Sequence, residues 1–315
     1  MQTKIAAIIV TFHPDAHKLS RLISNLANQV QHIVIVDNTP LRDVEAAAVL
    51  NDVKHRFDVL AIERLGENRG VATAFNVGIE LSLDAGCTHV LLSDQDSVPC
   101  KNMVSGLIKT LAGLQASGAK VGAVGPVFKN TVALRAFKFQ TWKIRHLLYQ
   151  HRELRENEDF LEAIALISSG CLIPAQVIED VGMMLDELFI DFVDIEWCFR
   201  ASSAGYGVYA SNHSQMVHEM GDSLMRIWLF RWIKNSEYSP IRLYYQFRNS
   251  AYLVKLKHVP LVYKIGLVHF WIAKVYAYAL FSPRKTTSLR MMFHGLRDGF
   301  TGKLGPFIGR TSSQQ

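Results

Sequence analysis

The chain has 315 residues, 49% hydrophobic and 20% charged, a balance that excludes a disordered polymer and leaves room for one large α/β domain with an appendage. The formal net charge of +6 is unevenly divided: from Gly221 onward there are 15 Lys/Arg and 3 Asp/Glu, net +12, so the first 220 residues hold 19 basic and 25 acidic residues, net −6. That asymmetry points to a catalytic body and a basic tail that meets something anionic.

Ile5–Thr11 is apolar and β-branched, as a strand buried on both faces would be. The run Ile5–Val10 is six residues, below the roughly 7–15 of a secretory h-region, so a first strand is expected and no signal peptide. A helix over Asp15–Asn28 follows, then a strand Ile33–Asp37 closed by the turn signal Asp-Asn-Thr-Pro. A helix Arg42–Asn51, a strand Val59–Glu63, a helix Gly70–Ala85 and a strand Val90–Ser93 complete an alternating pattern that predicts βαβ units and a mainly parallel sheet. Beyond it the sequence predicts a helix over Met103–Ser117 and a strand over Val121–Val127. Asn130–Asn157, basic and aromatic, reads as a loop or helix. Ala163–Pro174 reads as a strand with an inserted Ser-Ser-Gly turn, Asp194–Ala204 as a helix and Gly207–Ala210 as a strand. The four cysteines (Cys87, Cys100, Cys171, Cys198) form no Cys-x-x-Cys pair and fit reduced, mostly buried thiols of a cytosolic protein.

In the tail, apolar and aromatic residues dominate Ser239–Phe281, broken by Lys264, His269 and Lys274. A spanning helix wants about 20 apolar residues with few charges. A helical segment lying in the lipid headgroup region fits this composition better, and a helical subdomain packed on the body is the other reading.

Five segments carry chemistry. In Asp94-Gln95-Asp96 an apolar strand runs into two carboxylates; if the strand persists, both point the same way, and a divalent cation would relieve their repulsion. Such acids are otherwise turn formers. The same Asp-x-Asp-x-Val pattern is similar to the nucleophile motif of haloacid-dehalogenase-type phosphatases, with Asp94 as phosphoryl acceptor, but about ninety residues of βαβ sequence precede it here. Glu67–Gly78 is a small-residue turn opening a helix, a place for phosphate or for close helix–sheet packing. Asp37 ends a strand and can accept from a base or ribose, or cap a turn. Phe189–Arg200 sets Asp191, Asp194 and Glu196 among aromatics at a helix start, where desolvation would raise a carboxylate pKa toward that of a general base. His218 gains weight as a ligand only beside Asp96.

Thr11, Asp37, Asn68-x-Gly70, Asp94-x-Asp96, Ser169-Gly170, Asp194 and His218 occur in an order that resembles the inverting GT-A glycosyltransferases of family 2, over residues 3–225. Ser93–Ser97, Leu188–Asp191 with Val193-Asp194, and Tyr244-Tyr245-x-x-Arg248-Asn249 are similar to bacterial polysaccharide L-rhamnosyltransferases. The resemblance implies a GT-A nucleotide-sugar-binding fold, a mainly parallel mixed sheet flanked by helices, over residues 1–225, with a basic, aromatic-rich helical membrane-associating region over 226–315. It implies donor contacts from Thr11, Asp37, Asn68, Gly70, Asp94 and Arg248, Mg²⁺ or Mn²⁺ on Asp96 and His218, and Asp194 as base. The usual Glu-Asp at the base position is Val193-Asp194 here, so Asp191 or Glu196 could share the role. The implied donor is dTDP-L-rhamnose and the implied acceptor a polyprenyl-diphosphate-linked glycan, met at an anionic membrane surface on the cytoplasmic side. A phosphatase using Asp94 and a nucleic-acid-binding module using the basic tail are the alternatives; the apolar residues among the tail's charges argue against nucleic acid.

Overall fold

A computed structural model describes residues 3–129, 137–143, 148–218, 224–228 and 232–308. The first half alternates as expected: β1 (Ile5–Thr11), α1 (Ala16–Leu26), β2 (His32–Pro40), α2 (Val44–Arg56), β3 (Ala61–Gly66), α3 (Val71–Asp84) and β4 (His89–Asp94). Local chemistry sets the boundaries. Asp15 caps α1 by accepting from the Lys18 N–H at 2.8 Å, and Asp43 caps α2 from the Ala46 N–H at 2.9 Å. Leu19, Leu22, Ile23 and Leu26 form the buried stripe of α1 at helical spacing. The turn signal after Asp37 does not end β2, which runs on through a register shift to pair Pro40 with Gly66.

The second half adds β5 (Ser97–Pro99), α4 (Met103–Ala116), β6 (Val121–Lys129), β7 (Phe139–Lys143), β8 (Leu148–Arg152), β9 (Phe160–Ala163), β10 (Leu172–Pro174), α5 (Ala175–Val181), a short 3₁₀ turn at Asp186–Leu188, α6 (Val193–Ser203) and β11 (Gly207–His218). The tail is β12 (Leu224–Trp228), β13 (Trp232–Ser236), α7 (Pro240–Lys255), α8 (Leu261–Phe281) and α9 (Lys285–Thr301). The described part of Asn130–Asn157 contains no helix: between short irregular stretches, β7 and β8 pair antiparallel, with Trp142 facing Tyr149. Aromatic and β-branched residues there favour cross-strand pairing over helix.

One nine-stranded sheet runs β3-β2-β1-β4-β10-β6-β11-β5, with β9 also on β11. Strands β3, β2, β1 and β4 are parallel, and β10 enters antiparallel between β4 and β6. Chain order reverses beside β1, so a crevice opens at the carboxyl ends of β1 and β4, where open α/β sheets take ligands. Helix α3 lies tight against this edge. Ala72 and Ala74 are buried, and a Cβ on Gly78 would sit 2.2 Å from Ile8.

The tail is built into the body. Leu253, Val259, Tyr263 and Leu267 belong to the same core as Phe75, Val193 and Phe199, and Phe199 meets Tyr263 edge-on at 4.6 Å. Among the described residues, no helix is long and apolar enough to cross a membrane.

Candidate active site

A cleft of about 870 Å³ opens at the carboxyl ends of β1 and β4. Body and tail both line it: Thr11, Asn68, Gly70, Asp94, Asp96 and Asp194 on one side, Arg242, Gln246, Phe270 and Lys274 on the other.

The two carboxylates of Asp94-Gln95-Asp96 reach the cleft by a different route from the one expected. Strand β4 stops at Asp94, and Gln95 and Asp96 form a turn before β5. The alternation of a continuous strand therefore does not aim them; the turn does. It is braced on both sides. The Gln95 side chain pairs with both backbone groups of Phe12 at 3.0 Å. Buried Ser169 accepts from the Asp94 N–H at 3.1 Å and meets Ser97 Oγ at 2.6 Å. His218 pairs through its backbone with Ser97, one residue from Asp96; its side chain lies outside the described residues, as do residues 219–223.

Asp37 sits behind the wall. It is fully buried, accepting from Thr11 Oγ1 at 2.9 Å, Thr39 Oγ1 at 2.6 Å and Arg64 Nε at 3.1 Å. It does not line the cleft itself and reaches it through Thr11. Its charge-assisted bonds hold the end of β1 in place.

Asn68 and Gly70 line the cleft, but the start of α3 is already committed. The Gly70 N–H donates to Asn68 Oδ1 at 3.1 Å and the Val71 N–H to the Phe189 carbonyl at 2.7 Å. Gly70 has φ +87°, and a Cβ there would meet the Phe189 oxygen at 2.6 Å. Only glycine permits that approach. The approach seats the 183–192 loop against the start of α3.

That loop leads into the first turn of α6, which holds Asp194. Phe189, Asp191 and Phe192 all have positive φ without being glycine, a conformation that costs about 1–2 kcal/mol per residue. It is held from two helices. On α3, Asn76 bonds Met184 through both its oxygen and its nitrogen, at 2.9 and 2.8 Å. On α7, Asn249 Nδ2 donates to the carbonyls of Leu188, Ile190 and Asp191 at 2.7–2.8 Å. Arg248 donates to the carbonyls of Glu187 and Leu188 and to that of Gly305. Arg248 is 0% exposed and does not line the cleft; its Nε donates to Asn249 Oδ1 at 2.8 Å, so its described bonds go to this clamp. Phe189 completes the seat by stacking on Tyr245 at 4.9 Å.

The clamp places Asp194 in the first turn of α6, inside the cleft. Burial pushes its carboxyl up to about 6, and the nearby charges of Asp191 and Asp94 add to the rise; the Ile195 and Ser168 N–H groups oppose it. Such a group is half ionised near pH 6 and mostly ionised at neutral pH, which suits a general base. Asp191 also lines the cleft and is raised by burial, while Arg242 at 3.2 Å pulls it back. Glu196 is not a partner in this site: it is 2% exposed and ion-paired with Arg200 at 2.9 Å.

The model of "Glycosyl transferase family 2" matches residues 7–182, more than half the chain. The chain belongs to that family. A curated relative, "dTDP-rhamnosyl transferase RfbF" of Shigella flexneri, is 34% identical over 271 residues, 86% of each chain. Among solved structures, S. aureus TarS in complex with UDP-GlcNAc superposes with a TM-score of 0.56 at 14% identity, covering 94% of this chain and 80% of that one. GalNAc-T7 with UDP, GalNAc and Mn²⁺ gives 0.55 at 13% identity, covering 88% of this chain, which spans 57% of that one. These two structural likenesses carry the GT-A fold. Family and relative make the chain a hexosyltransferase, and the phosphatase reading of Asp94 falls with them.

Sequence reasoning placed the tail's share of the site on Arg248 and missed the tail residues that line the cleft. Arg242, Gln246, Phe270 and Lys274 were legible only as parts of a basic, aromatic helix. Asn76 did carry a signal, since a polar residue of weak helix propensity stands in the apolar stretch Ala74–Ile79 of α3.

Proposed function

We propose that the protein transfers L-rhamnose from dTDP-L-rhamnose, with inversion, to a hydroxyl of a polyprenyl-diphosphate-linked glycan at the inner face of the cell membrane. The observation that carries this reading is the shared cleft: Asp194, raised to about 6, lies in one cavity with Asp94 and Asp96. A base and a leaving-group site must face one reacting carbon, and a cleft shared by these three carboxylates supports that reading. The relative's rhamnosyl specificity supports the sugar.

Asp94 and Asp96 fit a divalent cation that takes one or two protein carboxylates and fills its other positions with diphosphate oxygens and water. Bound there, the ion would neutralise charge on the departing nucleoside diphosphate. The chain's own residues do the rest. Thr11, held by Asp37, and Asn68 flank the nucleotide. Gly70 leaves room for the loop that leads into Asp194's helix. Asp194 accepts the proton of the acceptor hydroxyl as that oxygen attacks the anomeric carbon opposite the leaving diphosphate. Holding donor and acceptor together converts a bimolecular step into one of high effective molarity.

Mass spectrometry of products formed from a panel of nucleotide sugars and a lipid-linked acceptor tests the assignment. A rhamnosylated glycan lipid formed only from the dTDP-L-rhamnose reaction is expected. Transfer of another sugar in its place would overturn the donor assignment.

A further inference from the structure

Helix α8 has an exposed side that its neighbours do not cover. Leu261, Ile265, Val268, Ile272, Val275 and Tyr276 recur at helical spacing and are 38–72% exposed. At 100° per residue they fall within one sector about 100° wide, and no charged residue enters it. They run along about 22 Å of helix. Phe300 of α9, 47% exposed, extends the patch beside Trp271 at 5.8 Å. An apolar face of this extent on a folded surface marks an interaction site.

Charge decides the occupant. Residues 255–308 contain nine Lys/Arg and one carboxylate, Asp298. Asp298 is buried, bonded to Arg297 and Tyr244. Among the described residues of 255–308 the exposed charges are therefore all cationic, Lys255, Lys257, Arg284, Lys285 and Arg290 among them, and Glu237, the carboxylate that meets Ser282 at the end of α8, is half-buried there. A second copy related by a twofold axis would set these cations against their own kind, like charge on like. An anionic bilayer offers acyl chains to the stripe and negative headgroups to the cations.

We propose that α8 lies in the plane of an anionic membrane, its Leu261–Tyr276 stripe in the headgroup–acyl boundary. The opposite side of the same helix forms the cleft wall through Phe270 and Lys274. The cleft then stands about one helix diameter, ~10 Å, above the lipid surface. An acceptor sugar carried on a membrane-anchored diphosphate can reach Asp194 without leaving the bilayer. This purpose rests on the lipid-linked acceptor proposed above; the binding itself does not.

The test uses the full chain, wild type and Ile265→Glu/Ile272→Glu, a pair of exposed substitutions. Each is sedimented with vesicles of phosphatidylcholine alone or with about one-third phosphatidylglycerol. Nucleotide-sugar binding is measured in parallel. The wild type should bind the anionic vesicles, and the double variant should bind at least ~10-fold more weakly with donor affinity unchanged. Equal vesicle binding by both proteins overturns the proposal. So does a wild-type dimer in solution that the variant converts to monomer, because the stripe would then be a subunit interface. If vesicle binding behaves as expected but no rhamnosyl transfer is found, the functional reading falls and the membrane face stands.

Discussion

At Asp194 the same desolvation that makes a base also weakens the fold. Its proton is held more tightly in the folded chain than in the unfolded one, since burial raises the carboxyl from 3.8 to about 6. The folded state is therefore penalised fully above pH 6 and gains stability as pH falls through 6 toward 3.8. Asp194→Asn should raise unfolding free energy by about 1–3 kcal/mol at pH 8 and by less at pH 5. Its turnover should fall by ~10²–10⁴-fold while donor binding persists. Equal melting gains at the two pH values would remove the burial argument, and retained turnover would remove the base. In wild type, kcat/KM should rise with pH along a limb centred near 6, because the base must lose its proton to act. The negative charge of Asp191 contributes to that raised value, so Asp191→Asn should move the limb to lower pH. A limb that stays put, or moves up, would mean that Asp191 does not act on Asp194.

Elements matter here through a loop that none of them contains. Three non-glycine residues at positive φ do not hold themselves; Asn249 on α7 and Asn76 on α3 hold them from opposite sides. Asn249→Ala should lower kcat/KM by ~10²-fold, the scale on which a small misplacement of a catalytic group acts. The three carbonyls it leaves should also cost about 1–3 kcal/mol of stability. A pH limb displaced from wild type would separate misplacement of Asp194 from simple loss of fold. This clamp explains what could be read in the sequence and what could not. The order of strands β1 to β4, the tight packing of α3 and the acid-bearing start of α6 are local patterns, and each was legible. The Arg248-Asn249 pair was visible as a motif, yet its role was misplaced, because two polar residues on a helix look alike whether they meet a ligand or a loop 60 residues away. The β7–β8 hairpin was missed because its pairing is between short, polar-interrupted runs. The turn at Gln95–Asp96 was missed because a strand and a strand-end turn share the same apolar lead-in.

At the scale of the whole molecule, the charge asymmetry suggested two parts, a body and a separable tail. Packing joins them. Tyr263 and Leu267 of α8 are buried in the main core, and Tyr278 and Met292 bury with α7 in a second cluster that supports Asn249's helix. Full burial of a large apolar side chain contributes about 1.5–3 kcal/mol, so these four together contribute roughly 6–12 kcal/mol. That equals the whole stability of an ordinary domain, about 5–15 kcal/mol. A chain ending after Lys255 should therefore lose more than membrane contact: its α7 clamp should loosen, and it should be insoluble or melt without a cooperative transition. Donor binding should go with it, although Thr11, Asn68, Asp94 and Asp96 all remain in the truncated chain. A soluble, cooperatively melting fragment that binds donor as tightly as the full protein would restore the two-part view. Loss of binding in the fragment, set against intact binding in Ile265→Glu/Ile272→Glu, would place the tail's surface at the membrane and its interior in the active site.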